Sequence, residues 1–142
     1  MSESMILLVE DDPDHEALAI RALRKANVAN EIVVARDGEE ALEFMKHVLD
    51  GTQRPPQLVL LDLKLPKVEG LDVLRTIRAS DRTALLPVVV LTSSDEERDI
   101  VASYRLGVNS YIRKPVNFTD FAEATKQLGM YWLLLNQCPP SQ

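Results

Sequence analysis

Asp62 closes the apolar run Leu58-Val59-Leu60-Leu61, and the chain turns soon afterwards at Pro66. A buried strand gains nothing from a charged last residue, so this carboxylate is expected to face a cleft rather than the core. Glu10 and Asp11 follow a second such run, Ile6-Leu7-Leu8-Val9. A third run, Val88-Val89-Val90-Leu91, leads into Thr92-Ser93, and the short segment Ser110-Tyr111-Ile112 leads to Lys114-Pro115. Carboxylates, a hydroxyl and an ammonium therefore sit at the carboxyl ends of strands, where open α/β sheets place their ligand sites.

Three carboxylates in one crevice repel one another. At about 4 Å and an effective dielectric of about 20, each like-charge pair costs on the order of 4 kcal/mol. Either their pKa values rise or a cation sits among them. An all-oxygen donor set favours a hard ion, and few protein ligands plus water suit Mg²⁺. His15 and His47 do not lie at strand ends and read as solvated helix residues, so zinc is not expected. A carboxylate beside Mg²⁺ can attack phosphorus and form an acyl phosphate. Phosphoryl transfer then needs mainly positioning and stabilisation of oxygen charge, which Mg²⁺, Lys114, Thr92 and backbone N–H groups near Lys64 could supply.

The elements that must position these groups alternate along the chain, apolar run and helix-period segment in turn, which argues for βα units around a parallel sheet. Strands are expected at about Met5–Val9 and Glu31–Ala35, and at the apolar runs above. Helix 1 is expected over about Asp14–Asn27, with Ala19, Ile20, Leu23 and Ala26 on one face. In helix 2, Ala41, Leu42, Met45, Val48 and Leu49 repeat at helical spacing. Helix 3 is expected over about Gly70–Ala79 with Leu71, Leu74 and Ile77 inward. Helix 4 opens on a capping box, Ser94 and Glu97, and stops at Gly107. Helix 5 begins near Asn117 or Thr119 and extends to about Asn136. Five units most economically form a flavodoxin-like doubly wound sheet of order 2-1-3-4-5. The topological switch then falls between strands 1 and 3, which brings Glu10, Asp11 and Asp62 together.

A chain of 142 residues with 46% hydrophobic content suits one domain, with a core over about 5–128 and a C-terminal helix and tail over about 129–142. The net charge of −6 gives no electrostatic case for nucleic-acid binding. The single cysteine, Cys138, cannot form an internal disulfide, no apolar run approaches about 20 residues, and the N-terminus does not read as a signal peptide. A cytoplasmic protein without membrane attachment is expected.

The strings Leu8-Val9-Glu10-Asp11-Asp12, Leu60-Leu61-Asp62-Leu63-Lys64-Leu65-Pro66, Val90-Leu91-Thr92-Ser93 and Tyr111-Ile112-Arg113-Lys114-Pro115 resemble, in order, the receiver domain of bacterial two-component response regulators. The resemblance implies that Asp62 accepts a phosphoryl group from a sensor histidine kinase. It implies that Glu10, Asp11 and Asp62, with the backbone carbonyl of Lys64, hold Mg²⁺. Thr92 and Lys114 would bind the phosphoryl oxygens, Thr92 and Tyr111 would act as the switch pair, and the Lys114–Pro115 bond would be cis. Lys64 adds a cation close to the acceptor. No output domain follows, so a stand-alone receiver is expected, similar to the single-domain regulators that partner bacterial phytochromes. Such a protein is not an enzyme acting on a separate substrate, although it can catalyse its own phosphorylation and dephosphorylation.

Other readings account for less. A phosphorylation-independent interaction module of the same fold would be expected to lack one of these groups. An aspartyl phosphatase would carry a general acid where Lys64 stands, and a flavin-binding protein would not place acids after strand 1. The segment Met130-Tyr131-Trp132-Leu133-Leu134-Leu135 is apolar on every face of a helix. Phe121, Leu128 and Leu135 can dock on the sheet, which leaves Tyr131, Trp132 and Leu134 as the expected interface of a homodimer.

Overall fold

The computed structural model describes residues 5–25, 28, 30–93, 96–114 and 119. Every residue of β1 (Met5–Val9), β3 (Leu58–Leu61) and β4 (Val88–Thr92) is buried, as unbroken apolar runs covered on both faces require. With β2 (Glu31–Ala35) and β5 (Ser110–Arg113) they form one parallel sheet of order β2-β1-β3-β4-β5. Val9 is in register with Ala35 on one side and Leu61 on the other, so the strands end level beside the crevice.

Side chains alternate between two cores. Ile6, Leu8, Leu58, Leu60, Val89, Leu91 and Ile112 face Ala19 and Leu23 of α1 (Pro13–Lys25). Leu7, Val9, Val59, Leu61, Val88 and Val90 face the opposite way. They meet Ala41 and Met45 of α2 (Gly38–Leu49) and Val73, Leu74 and Ile77 of α3 (Gly70–Ala79). The helix α4 (Glu97–Arg105) packs beside α3 and β5.

The expected inward faces hold with local shifts. Ala22 joins Ala19 and Leu23 in the core, while Val73 rather than Leu71 is fully buried on α3. The helix α4 starts at Glu97 with Glu96 in the N-cap position and no side-chain cap, so Ser94, which lies outside the described residues, is not its immediate N-cap. The stop at Gly107 stands. Gly107 at φ 74° donates to Tyr104 O and Val108 donates to Ser103 O, the Schellman pattern that only a residue tolerant of positive φ can close. Apart from Thr119, the expected fifth helix lies outside the described residues, as do Tyr131, Trp132, Leu134, Pro115 and Cys138.

At the end of the sheet opposite the crevice, the half-buried Arg78 guanidinium donates to the carbonyls of Ala84, Leu86, Leu106 and Gly107 at 2.7–2.9 Å. It ties α3 to the entry of β4 and the entry of β5.

Asp37 caps α2 by accepting the Glu40 N–H at 2.8 Å, and Glu40 in return accepts the Arg36 N–H at 2.8 Å. The Glu40 N–H, followed by Lys67, holds the Asp37 carboxyl below its ordinary value of 3.8. A carboxylate with a depressed folded-state pKa contributes stability that is complete above the unfolded value and is lost as pH falls through the folded one. Asp37→Asn keeps a capping oxygen without that titration. Its stability should therefore fall less steeply than that of the parent below about pH 3.8, in urea melts taken across the acid limb. Parallel acid limbs would show that the carboxylate contributes nothing.

Candidate functional site

The crevice is assembled by backbone first. Glu10 N–H donates to Ala35 O at 2.9 Å and Asp62 N–H donates to Val9 O at 3.0 Å, so each acid continues the hydrogen-bond ladder by one residue beyond its strand. The ladder fixes both side chains at the same level. Glu10 is 3% exposed and Asp62 5%, whereas Asp11 faces solvent. One oxygen from each of Glu10, Asp11 and Asp62 lies within 4.8 Å of the others.

The cation among them is Lys114. Its side chain is 8% exposed, and its Nζ lies 2.5 Å from Glu10 Oε1 and 2.9 Å from Asp62 Oδ2. Burial alone would lower its pKa, but the bonds to Glu10 and Asp62 outweigh burial and hold it above its ordinary 10.5. It is an ammonium at any physiological pH. Burial raises the pKa of Glu10, against the pull of the Lys114 ammonium and the Asp12 N–H. The backbone of Lys114 donates to Thr92 O at 2.9 Å, which ties the end of β5 to the fully buried Thr92 at the end of β4. Tyr111 sits three residues earlier on β5, half-buried against the core that faces α2 and α3.

The loop after Asp62 is clamped from several sides. Lys64 N–H donates to Asp62 Oδ1 at 3.1 Å, leaving Oδ2 to Lys114. The Lys64 side chain departs from expectation. Its ammonium turns to α4, 3.5 Å from Glu96 Oε1 and 3.8 Å from Asp99 Oδ2, and makes no ion pair with Asp62. Two carboxylates beyond the crevice offer it a closer counter-charge than the acceptor, whose own oxygens are already engaged. Further on, Val68 N–H donates to Pro66 O at 2.8 Å around Lys67 at φ 70°, a γ-turn. The Lys67 ammonium lies 3.4 Å from both Asp37 Oδ2 and Glu39 Oε1, which binds that turn to the start of α2. A Cβ at Gly70 would stand 2.2 Å from Asp62 O and 2.5 Å from Leu63 Cα.

His15 was not legible as a site residue. It stays partly in solvent but reaches Lys114, with Nδ1 2.9 Å from Nζ. The reason is local. Asp12 Oδ1 accepts the N–H groups of Asp14 at 2.8 Å and His15 at 3.2 Å, so Asp12 caps α1 and its first turn aims His15 at the crevice. The His15 N–H, ahead of the other contacts, lowers the Asp12 carboxyl.

A doubly wound sheet with strand-end acids around a buried ammonium is the arrangement of a phosphoacceptor switch, and the sequence agrees with that class throughout. The chain belongs to the response regulator receiver domain family, whose pattern matches residues 6–126. Some relatives are similar over most of their length. It is 41% identical over 135 residues to the probable methanogenesis regulatory protein FilR2 of Methanothrix harundinacea, covering 95% of this chain and 87% of FilR2. The solved bacteriophytochrome response regulator AtBRR is 50% identical with a TM-score of 0.81, covering 96% of this chain and 100% of AtBRR. Response regulator Rcp1 of Synechocystis is 38% identical over 130 residues, covering 91% of this chain and 88% of Rcp1. Its Mn²⁺-bound structure has a TM-score of 0.77 at 36% identity, covering 96% of this chain and 99% of that one. Receiver domains take a phosphoryl group from a histidine kinase and bind a divalent metal at the acidic site, and this chain is a signalling protein of that kind. Among the described residues, no helix is long and apolar enough to cross a membrane.

Gly70→Ala should lower stability by about 1–3 kcal/mol, because the new methyl meets backbone that cannot step aside without moving the Asp62 loop. A denaturant melt at neutral pH measures it, and an unchanged midpoint would show that the loop has room.

Proposed function

We propose that Asp62 is the phosphoacceptor and that residues 1–142 act as one receiver domain, with its core over about 5–128 and the C-terminal helix and tail over about 129–142. The observation that carries this reading is the Lys114 ammonium held between Glu10 and Asp62. Three carboxylates and one ammonium leave two formal negative charges, which a single divalent cation neutralises. Glu10, Asp11 and Asp62, with the backbone carbonyl of Lys64, are the donors for Mg²⁺, and an all-oxygen set fits that ion. Bound there, the metal would shield the acceptor and offset charge on the phosphoryl oxygens.

The residues of the chain divide the remaining work. The Lys64 N–H orients the Asp62 carboxylate through Oδ1. Its other oxygen forms the bond to phosphorus as the N–P bond of the kinase phosphohistidine breaks and the imidazole leaves. Lys114 and the Thr92 hydroxyl bind the phosphoryl oxygens, and Thr92 with Tyr111 carries the change along β4 and β5. The same groups allow the chain to catalyse its own phosphorylation from small donors and its own dephosphorylation. The protein is proposed to act in the cytoplasm, with a sensor histidine kinase of the bacteriophytochrome class as its donor, supported by the 50% identity to AtBRR. A homodimer through Tyr131, Trp132 and Leu134 is supported by the apolar run from Met130.

Incubation with acetyl phosphate and Mg²⁺ should add one phosphoryl group, seen by intact-mass spectrometry. Asp62→Asn, chelation of the metal, or the pair Glu10→Ala with Asp11→Ala should each abolish it. Undiminished labelling of Asp62→Asn would place the acceptor elsewhere.

Light scattering at micromolar concentration should give twice the monomer mass, and truncation after Gly129 should give one. A monomeric full chain rejects the dimer, and a dimeric truncated chain moves the interface.

A further inference from the structure

We infer that His15 is a positioning residue for phosphoryl transfer, holding the Lys114 ammonium at the site through its Nδ1 lone pair. The inference rests on the reading of Asp62 and Lys114 given above and extends it to a residue outside that set. An ammonium has three N–H donors and no acceptor. Among the described residues, Lys114 Nζ has three partners, Glu10 Oε1 at 2.5 Å, Asp62 Oδ2 at 2.9 Å and His15 Nδ1 at 2.9 Å. Because lysine can only donate, Nδ1 is the accepting atom of this contact. Nε2 in turn lies 3.8 Å from Asp12 Oδ2.

The three partners are not equivalent. Glu10 and Asp62 are the carboxylates the reaction itself uses, one as a metal donor and one as the nucleophile. Each gives up part of its hold on Lys114 when it is engaged. His15 is the partner whose chemistry the reaction leaves alone. Its ring is carried by the first turn of α1 and fixed there by the Asp12 cap, so it keeps the ammonium aimed at the phosphoryl oxygens while the carboxylates are otherwise occupied. At 42% exposure it can be replaced without opening the core.

The test compares His15→Ala, His15→Asn and His15→Gln in the full chain, with acetyl phosphate and Mg²⁺. An asparagine Oδ1 stands the same number of bonds from Cα as Nδ1, and a glutamine oxygen does not. Labelling of the Ala and Gln variants should slow about tenfold, the scale of one hydrogen bond to a charged group, and Asn should restore most of the rate. In a Lys114→Ala background the His15→Ala change should add nothing further. Nitrogen-15 spectra of the wild type should show an unprotonated Nδ1, whose signal shifts in Lys114→Ala. Equal rates for Ala and wild type, rescue by Gln rather than Asn, additive losses, or a protonated Nδ1 would each overturn the inference. A wild type that takes no label would overturn the reading of Asp62, while the nitrogen spectrum would still decide the contact.

Discussion

The constraint around which this molecule is organised is the mutual repulsion of Glu10, Asp11 and Asp62 at one end of a sheet that holds them level. A chain free to relax would let these acids separate. Here the hydrogen-bond ladder continues through Glu10 and Asp62, so separating them would require breaking the sheet between β1 and β3. The stored repulsion is answered by a buried ammonium rather than by protonation alone, because Lys114 can reach two of the acids at once. Such a pair of buried carboxylates with one ammonium remains short of positive charge. The site therefore favours a further cation, in keeping with the divalent metal that receiver domains bind at their acidic site.

Holding charges in this way needs a frame that does not yield. The lower end of the sheet is closed by Arg78, whose guanidinium satisfies four carbonyls from two different segments. At the upper end, the loop after Asp62 is restrained by the Lys64 N–H, by the γ-turn at Lys67 with its ion pairs to Asp37 and Glu39, and by the close approach of Gly70. Ion pairs this open to water are screened and contribute little to stability. Their effect is geometric, since each removes one direction in which the acceptor loop could drift.

What could be read from the sequence followed physical range. The bounds of β1 and β2 and of α3 matched expectation because parallel strands read as continuous apolar runs and α3 has a clear helical period. The acids after β1 and β3 were legible for the same reason, since a charge that ends an apolar run has few structural explanations. Contacts that depend on where a flexible side chain travels were not. The string Asp37-Gly38-Glu39-Glu40 carried a capping signal that reads equally well as a turn. The direction of Lys64 depended on α4, thirty residues further on, and the contact of His15 with Lys114 spans 99 positions. A histidine in the first turn of a helix, behind an aspartate that caps it, is the one local hint that the ring faces the strand ends.

The distribution of charge over the sheet also bears on how the site can act as a switch. The acids are mounted on β1 and β3, each paired on both sides, while the ammonium is mounted on β5, which within this sheet pairs only with β4. A central strand cannot shift without breaking two ladders, whereas an edge strand has one to lose. Negative charge is therefore carried by central strands and positive charge by an edge strand. On the proposed reading, a phosphoryl group on Asp62 would be answered by Lys114 and, through the 2.9 Å bond from the Lys114 backbone N–H, by Thr92. Tyr111 lies on the same strand between the site and the outer core, so a movement of the end of β5 reaches its ring over three residues of extended chain.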